Sequence, residues 1–406
     1  MKVSKAASFA DILRNSRYFK LSEMDSLKGP NVFIRGKIYQ DGEFLDNNVL
    51  YMYDGKILPY DRFEKSVGKS EAIRLIDLDK NYITPSLLDQ HIHGGYGIDF
   101  NNANESEIRD LLLNLKKHGH SGILATFVPD KIEKLNRQMD IVRKIMKKPD
   151  KDATRIIGIN LEGPFLNPKK AGIHPPEILL KPTVKNLEKL NLDDVKMITI
   201  APELDKDFAA TEYLNKRGII TSAGHSSATA EQVRNSGVKQ VTHLFNAMSP
   251  FHHRIPSIAN EGLLNDRIYA EVNTAPELLS PETVNLIMKV KPKDRIILIS
   301  DALRGANIDG DSFVMGGKKI YIDENGIAKD KDGILAGSIK FMGQIAKQLV
   351  ESTRMTFADF IRFASTNPSV NLDVEKGYKL EMNSYPNVTI WDKDTLKPIN
   401  TFISNA

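Results

Sequence analysis

With no cysteine among its 406 residues, this chain can hold a metal ion only through imidazole, carboxylate and water, so its nine histidines are the residues to follow. His91 and His93 stand two apart in Pro85-Ser86-Leu87-Leu88-Asp89-Gln90-His91-Ile92-His93-Gly94. Side chains at i and i+2 of a strand share a face, so both rings could reach one ion. Glu162 follows Asn160-Leu161, His225 follows Ala223-Gly224 and His243 follows Val241-Thr242, each at the end of an apolar run. Two histidines, a carboxylate and an open position suit a catalytic zinc-type ion, which lowers the pKa of its water to about 7. Asp301 closes Leu298-Ile299-Ser300-Asp301, where a carboxylate could take the water's proton as general base and return it to a leaving amine as acid. Singly, these residues have ordinary explanations: a packed histidine, a solvated carboxylate, a turn cap. Their shared placement at strand ends is what points to a site.

Such placement needs a fold that gathers strand ends. Between Ile83 and about Ala364, apolar runs alternate with longer amphipathic segments, the pattern of βα units and a parallel sheet. The strand candidates are Pro85 to Gln90, Gly122 to Val128, Arg155 to Leu161, Lys196 to Ile200, Gly218 to Ala223, Gln240 to Leu244, Ile268 to Val272 and Arg295 to Ser300. Eight units favour an α/β fold of the (β/α)8 TIM-barrel kind over an open doubly wound sheet, and no GxGxxG turn follows the first strand. The candidate ligands would then converge at the barrel mouth.

On either side the pattern shortens. Val32-Phe33-Ile34, Val49 to Tyr53 and Ile73 to Ile76 read as a small sheet, and Asn387 to Ile403, which carries the only tryptophan, Trp391, is expected to rejoin it. The expected organisation is an N-terminal extension (1–28), a first part of a small β-sandwich domain (29–82), the barrel (83–375) and the second part of the small domain (376–406). The extension is read as an arm that packs as a helix.

Composition narrows the function classes. The apolar content of 41% supports a real core, and 56 basic against 52 acidic side chains give a formal charge of +4 with the signs mixed along the chain. Nucleic acid is therefore not the default partner. Met1 to Lys20 lacks the continuous apolar run of a secretory signal, and no later segment reads as a membrane span. A soluble cytoplasmic protein is the simplest reading.

The segment Val241 to Pro256, Val-Thr-His-Leu-Phe-Asn-Ala-Met-Ser-Pro-Phe-His-His-Arg-Ile-Pro, resembles a signature of N-acetylglucosamine-6-phosphate deacetylases, a branch of the amidohydrolase superfamily, and its companion motifs run from about Pro85 to Asn371. The resemblance implies a metal-dependent hydrolase barrel that cleaves the acetamide of N-acetylglucosamine 6-phosphate to glucosamine 6-phosphate and acetate. It implies Glu162, His225 and His243 as metal ligands and Asp301 as the acid/base. Asn246, Ala247 and Arg254 are implied as substrate contacts, with Ile173, His174, Leu335, Ala336 and Gly337. Arg254 offers the planar charged fork that suits a phosphate. In family members the equivalent arginine can reach a neighbouring subunit's pocket, which implies a homodimer. The retained pair His91 and His93 adds a second metal site, so one ion or two is expected. Zinc is foremost, and iron, cobalt or manganese suit the same donors.

Three positions depart from the family pattern. An Asp-Gly-x-His segment usually follows the seventh strand, and Ala275-Pro276-Glu277-Leu278 stands there instead; no histidine lies beyond His253. Loss of one aligned donor near a reacting carbonyl costs about 3 to 4 kcal/mol of transition-state stabilisation. His252, His253 and Glu277 are the candidates to replace it. Asn160 stands where a histidine commonly precedes Leu-Glu-Gly-Pro, and Asn383 replaces a usual glycine. The leading reading is a deacetylase of N-acetylglucosamine 6-phosphate. Alternatives are its galactosamine epimer as substrate, another amidohydrolase reaction, or a weakly active sugar-phosphate binder. The phosphate-type residues around Asn246 and Arg254 count against a different amide.

Overall fold

The computed structural model describes residues 16–404 except 69–70. Its centre is a run of eight parallel strands paired in chain order: β1 Leu87–Ile92, β2 His120–Phe127, β3 Arg155–Phe165, β4 Val195–Ile200, β5 Ile220–Ala223, β6 Gln240–Val241, β7 Tyr269–Asn273 and β8 Ile296–Ile299. Every residue of β1, β2 and β8 is buried. Strands covered on both faces read as unbroken apolar runs, and that property made them visible in the sequence. A parallel bridge between Ile92 and Ala302, just beyond β8, brings the last strand back to the first, so the barrel is nearly closed.

Helices cover the outside for sequence reasons. Glu105–Lys116 starts at Asn104, whose side chain accepts from the Glu107 amide while the Glu107 carboxylate accepts from the Asn104 amide. Its buried face is Ile108, Leu111, Leu112 and Leu115, the i, i+3, i+4, i+7 stripe of a helix lying on a sheet. Each such side chain contributes about 1.5 to 3 kcal/mol by leaving water.

The outer strands form one connected sheet. Pro30–Gln40 pairs antiparallel with Glu43–Tyr53 and parallel with both Ile73–Asp77 and Tyr82–Pro85; Val388–Trp391 joins Tyr82–Pro85, and Pro398–Phe402 joins Val388–Trp391. The C-terminal strands thus rejoin the N-terminal ones. The sheet folds around Phe33, Met52, Ile76, Ile83, Ile390 and Phe402, which makes one core from residues far apart in sequence. Trp391 is fully buried, and its Nε1 donates to Thr84 Oγ1 at 2.8 Å.

Two features differ from the sequence reading. Ser16–Phe19, within the arm expected to be helical, is a strand paired parallel with Ile73–Ile76; residues 1–15 lie outside the described residues. The chain after β8 forms a three-stranded antiparallel sheet, Ser312–Met315, Lys318–Ile322 and Ala328–Asp330, that the sequence reading did not anticipate. Its buried residues Phe313, Met315 and Ile320 pack with Ile173 and Leu303 and form a wall beside the barrel mouth.

Candidate metal and substrate site

The candidate ligands leave the barrel at equivalent points. His225, His243 and Asp301 each lie two residues past the end of β5, β6 and β8, and each has a left-handed backbone, with φ of 46°, 29° and 49°. Non-glycine residues held there cost about 1 to 3 kcal/mol each, a cost that clusters at functional sites. The turn out of the strand aims each side chain inward. Glu162 sits within β3, while His91 is the last residue but one of β1 and His93 follows the strand.

The side chains converge on Glu162. Its Oε1 lies 3.0 Å from His225 Nε2 and 2.9 Å from His243 Nε2, and its Oε2 lies 3.1 Å from His174 Nε2 and 3.4 Å from His93 Nε2. Asp301 Oδ1 stands 3.3 Å from His93 Nε2 and 3.7 Å from His91 Nε2. His91, His93 and Asp301 form one compact donor group and Glu162, His174 and His225 a second. His174, expected as a substrate contact, is therefore within reach of the ligand cluster.

The geometry fits a cation. Nδ1 of His91 faces Glu271 Oε2 at 3.1 Å, that of His93 faces Thr126 O at 3.2 Å, and that of His225 faces Lys170 O at 2.8 Å. These partners only accept, so each Nδ1 carries the proton and each Nε2 offers a lone pair. His91 and His93 then present Nε2 atoms 3.3 Å apart, and His225 and His243 present theirs 3.1 Å apart. Lone pairs that close need positive charge between them. Burial pulls the His91 ring down, yet Glu271, Glu162 and Asp301 overcome it and push it up to about 10, so the surrounding carboxylates favour a positive charge at this point, whether a proton on the ring or a metal ion in the proton's place. Burial works to raise Glu162, but His174 and His225 hold it well below the usual carboxylate range. Histidine and carboxylate donors without thiolate suit zinc, iron, cobalt or manganese.

A pocket of about 380 Å³ opens over these groups. Ile173 and His174 line one side, Asn246 and Ala247 another, and Leu335, Ala336 and Gly337 a third. Asn246 Nδ2 is buried with no acceptor among the described residues, so a donor stands ready for a ligand oxygen. It is held in a turn in which Phe245 and Ala247 have φ of 80° and 48°. Gly337 must be glycine, because a Cβ there would lie 2.4 Å from Asp301 O. Among the described residues no lysine or arginine lines the pocket, and Arg254 is exposed outside it.

Leu278 lines the pocket and offers no donor. None of His252, His253 and Glu277 lines it. His252 Nδ1 accepts the amides of Arg254 and Ile255, which makes it a loop brace, and the exposed His253 ring stacks on it at 4.6 Å. Asn160 Nδ2 donates to Gln90 O, and Asn383 adopts φ 67°, a left-handed conformation that glycine takes freely and asparagine tolerates.

Glu271 was missed by the sequence reading. It is fully buried on β7, and Gln90 Nε2 and Gln240 Nε2 donate to its Oε1 at 2.7 and 2.8 Å. Asn371 Nδ2 donates in turn to the Oε1 atoms of Gln90 and Gln240. This chain crosses the barrel interior and ends on His91. The available signal was a carboxylate inside Tyr-Ala-Glu-Val, since a buried glutamate persists only when partnered.

The amidohydrolase family model matches residues 82–406. The chain is 30% identical to N-acetylglucosamine-6-phosphate deacetylase of Lysinibacillus sphaericus over 80% of this chain and 84% of that one. It is 26% identical to N-acetylgalactosamine-6-phosphate deacetylase of Escherichia coli O157:H7 over 82% and 87%. The crystal structure of N-acetylglucosamine-6-phosphate deacetylase from Thermotoga maritima superposes with a TM-score of 0.79 at 28% identity, covering 92% of this chain and 98% of that one.

Proposed function

The chain belongs to the amidohydrolase family, and from that premise we propose that it hydrolyses the acetamide of N-acetylglucosamine 6-phosphate, giving glucosamine 6-phosphate and acetate. The observation that carries this reading is the convergence of His225 and His243 on one oxygen of Glu162, with Asp301 beside them at 3.3 Å from His93. Glu162, His225 and His243 would hold one divalent cation, zinc foremost, and His91 and His93 a second beside Asp301. A cation bound there polarises the acetyl carbonyl and acidifies water.

The chain's own groups do the rest. Asp301 takes the proton of the attacking water, the C–N bond breaks, and Asp301 returns that proton to the leaving amine. Its Oδ2 accepts from Asn273 Nδ2 at 3.1 Å, which fixes the carboxylate's orientation. Asn246 Nδ2 donates to a substrate oxygen. Ile173, His174, Ala247, Leu335, Ala336 and Gly337 shape the walls around the sugar.

The phosphate lacks a cationic partner among the pocket's own lining, which supports a homodimer in which Arg254 reaches the neighbouring pocket. No described helix is long and apolar enough to cross a membrane, and we place the enzyme in the cytoplasm. We likewise keep the division into extension (1–28), small domain (29–82 and 376–406) and barrel (83–375).

Leu278 favours one alternative, deacetylation of the galactosamine epimer, because the donor expected at that wall is missing. The test is a panel of N-acetylhexosamines with and without the 6-phosphate, assayed for free amine with and without a chelator. The proposal requires fastest release from N-acetylglucosamine 6-phosphate and its loss on chelation. Preference for the epimer would select the alternative, and indifference to phosphate would reject both.

A further inference from the structure

A second cavity, of about 700 Å³, lies on the flank of the barrel between the end of helix Glu105–Lys116 and the start of helix Met342–Ser352. It shares no lining residue with the pocket over Glu162. Lys117, Lys340 and Lys397 line it, and among the described residues no carboxylate does. Lys117 reaches Asn114 Oδ1 at 2.9 Å, and among the described residues Lys340 and Lys397 form no ion pair. The cavity therefore gathers three positive charges in a chain whose formal excess is +4. Ammonium groups left unpaired around one concavity repel one another, and an anion between them relieves that repulsion.

Its polar wall is built rather than loose. Gln344 Nε2 donates to Asn307 Oδ1 at 2.8 Å, Asn307 Nδ2 donates to Tyr96 Oη at 3.0 Å, and Tyr96 Oη donates to His118 Nε2 at 2.6 Å. Asn307 is held at φ 57° within this network. The side-chain amides of Asn307, Gln344 and Gln348 on one side, lysines around them and the apolar Ile308 and Ile339 beside them match a small polar molecule carrying a phosphate. The volume is of the size that takes a single small ligand, and it is a concavity rather than the extended basic surface a polymer would need.

We propose that this cavity is a second binding site, for a phosphorylated small polar molecule of the sugar-phosphate class. The site borders the reaction pocket through the backbone. Gly305 and Asn307 follow Asp301 in the chain, and Lys340 follows Ser338, whose amide donates to Asp301 O at 2.9 Å. An occupant would hold both segments that support Asp301.

The test uses the full, metal-loaded chain and glucose 6-phosphate, which has no acetamide to hydrolyse. Hydrogen–deuterium exchange should slow in peptides covering residues 305–310 and 339–345, a region separate from the turn at 245–247. The double variant K340Q/K397Q should lose that protection, with about tenfold weaker calorimetric affinity at this site and a melting temperature no lower than that of the wild type. Asn307→Asp, which places a carboxylate in the cavity, should lose it as well. Protection confined to the pocket over Glu162, or protection of 305–310 and 339–345 that persists in K340Q/K397Q, would overturn the proposal.

Discussion

Oε2 of Glu271 lies 3.1 Å from Nδ1 of His91, so a fully buried carboxylate backs the ring whose other nitrogen faces Glu162 and Asp301. The same oxygen accepts the His243 amide at 3.3 Å, so one side chain on β7 steadies a candidate ligand from each of two strands. Carboxylates in this position fix the imidazole tautomer and strengthen it as a ligand.

Glu271→Gln should therefore weaken metal binding by about 10- to 100-fold while leaving the barrel folded. The amide keeps the size of the side chain but sets an N–H₂ against donors that now meet an oxygen. Competition with a chromophoric chelator measures the affinity, and far-ultraviolet circular dichroism checks the fold. An unchanged affinity would remove Glu271 from the site.

Leu278→His returns a donor to a wall that now has none. One well-aligned donor at a reacting carbonyl is worth up to about 3 to 4 kcal/mol, so kcat/KM for N-acetylglucosamine 6-phosphate should rise by at least about tenfold. If it does not rise, the contact is already supplied by another group.

His118 gives a pH-dependent stability. Burial, with Lys117 nearby, pushes it down to about 4, and its Nε2 accepts from Tyr96 Oη at 2.6 Å and from Asn307 Nδ2 at 3.2 Å. A protonated Nε2 could accept neither. The unfolded ring titrates near about 6.5, so below that pH the unfolded chain binds a proton that the folded one refuses. The contribution is complete above 6.5 and falls as pH drops towards 4, by about 1 to 2 kcal/mol once partial exposure is discounted. Denaturant titrations at pH 7.5 and 4.5 should show this loss shrinking in His118→Gln; equal losses in both proteins would refute it.

The barrel was legible because its strands are buried on both faces and so are written as apolar runs, as in Ile-Ile-Leu-Ile of β8. The ligand candidates were legible because they sit at the ends of those runs. Partners brought together by barrel closure were not: Glu271 and His91 are 180 residues apart, and nothing local in either segment names the other. The sheet Ser312–Asp330 escaped notice because its strands are short and alternate, with Phe313 and Met315 buried and Val314 exposed. The closeness of His174 to Glu162 was not legible either, because it depends on how the loop after β3 folds back.

Asp301 offers the most direct test of the central claim. Wild type and Asp301→Asn, loaded with metal to the same content by elemental analysis, should be compared for binding of N-acetylglucosamine 6-phosphate and for release of glucosamine 6-phosphate. The account predicts steady amine release by the wild type and a loss of about 10²- to 10⁴-fold in the variant, with substrate affinity kept within a few-fold. A wild type that binds the sugar phosphate but releases no amine, or a variant that turns over as fast as the wild type, would contradict it.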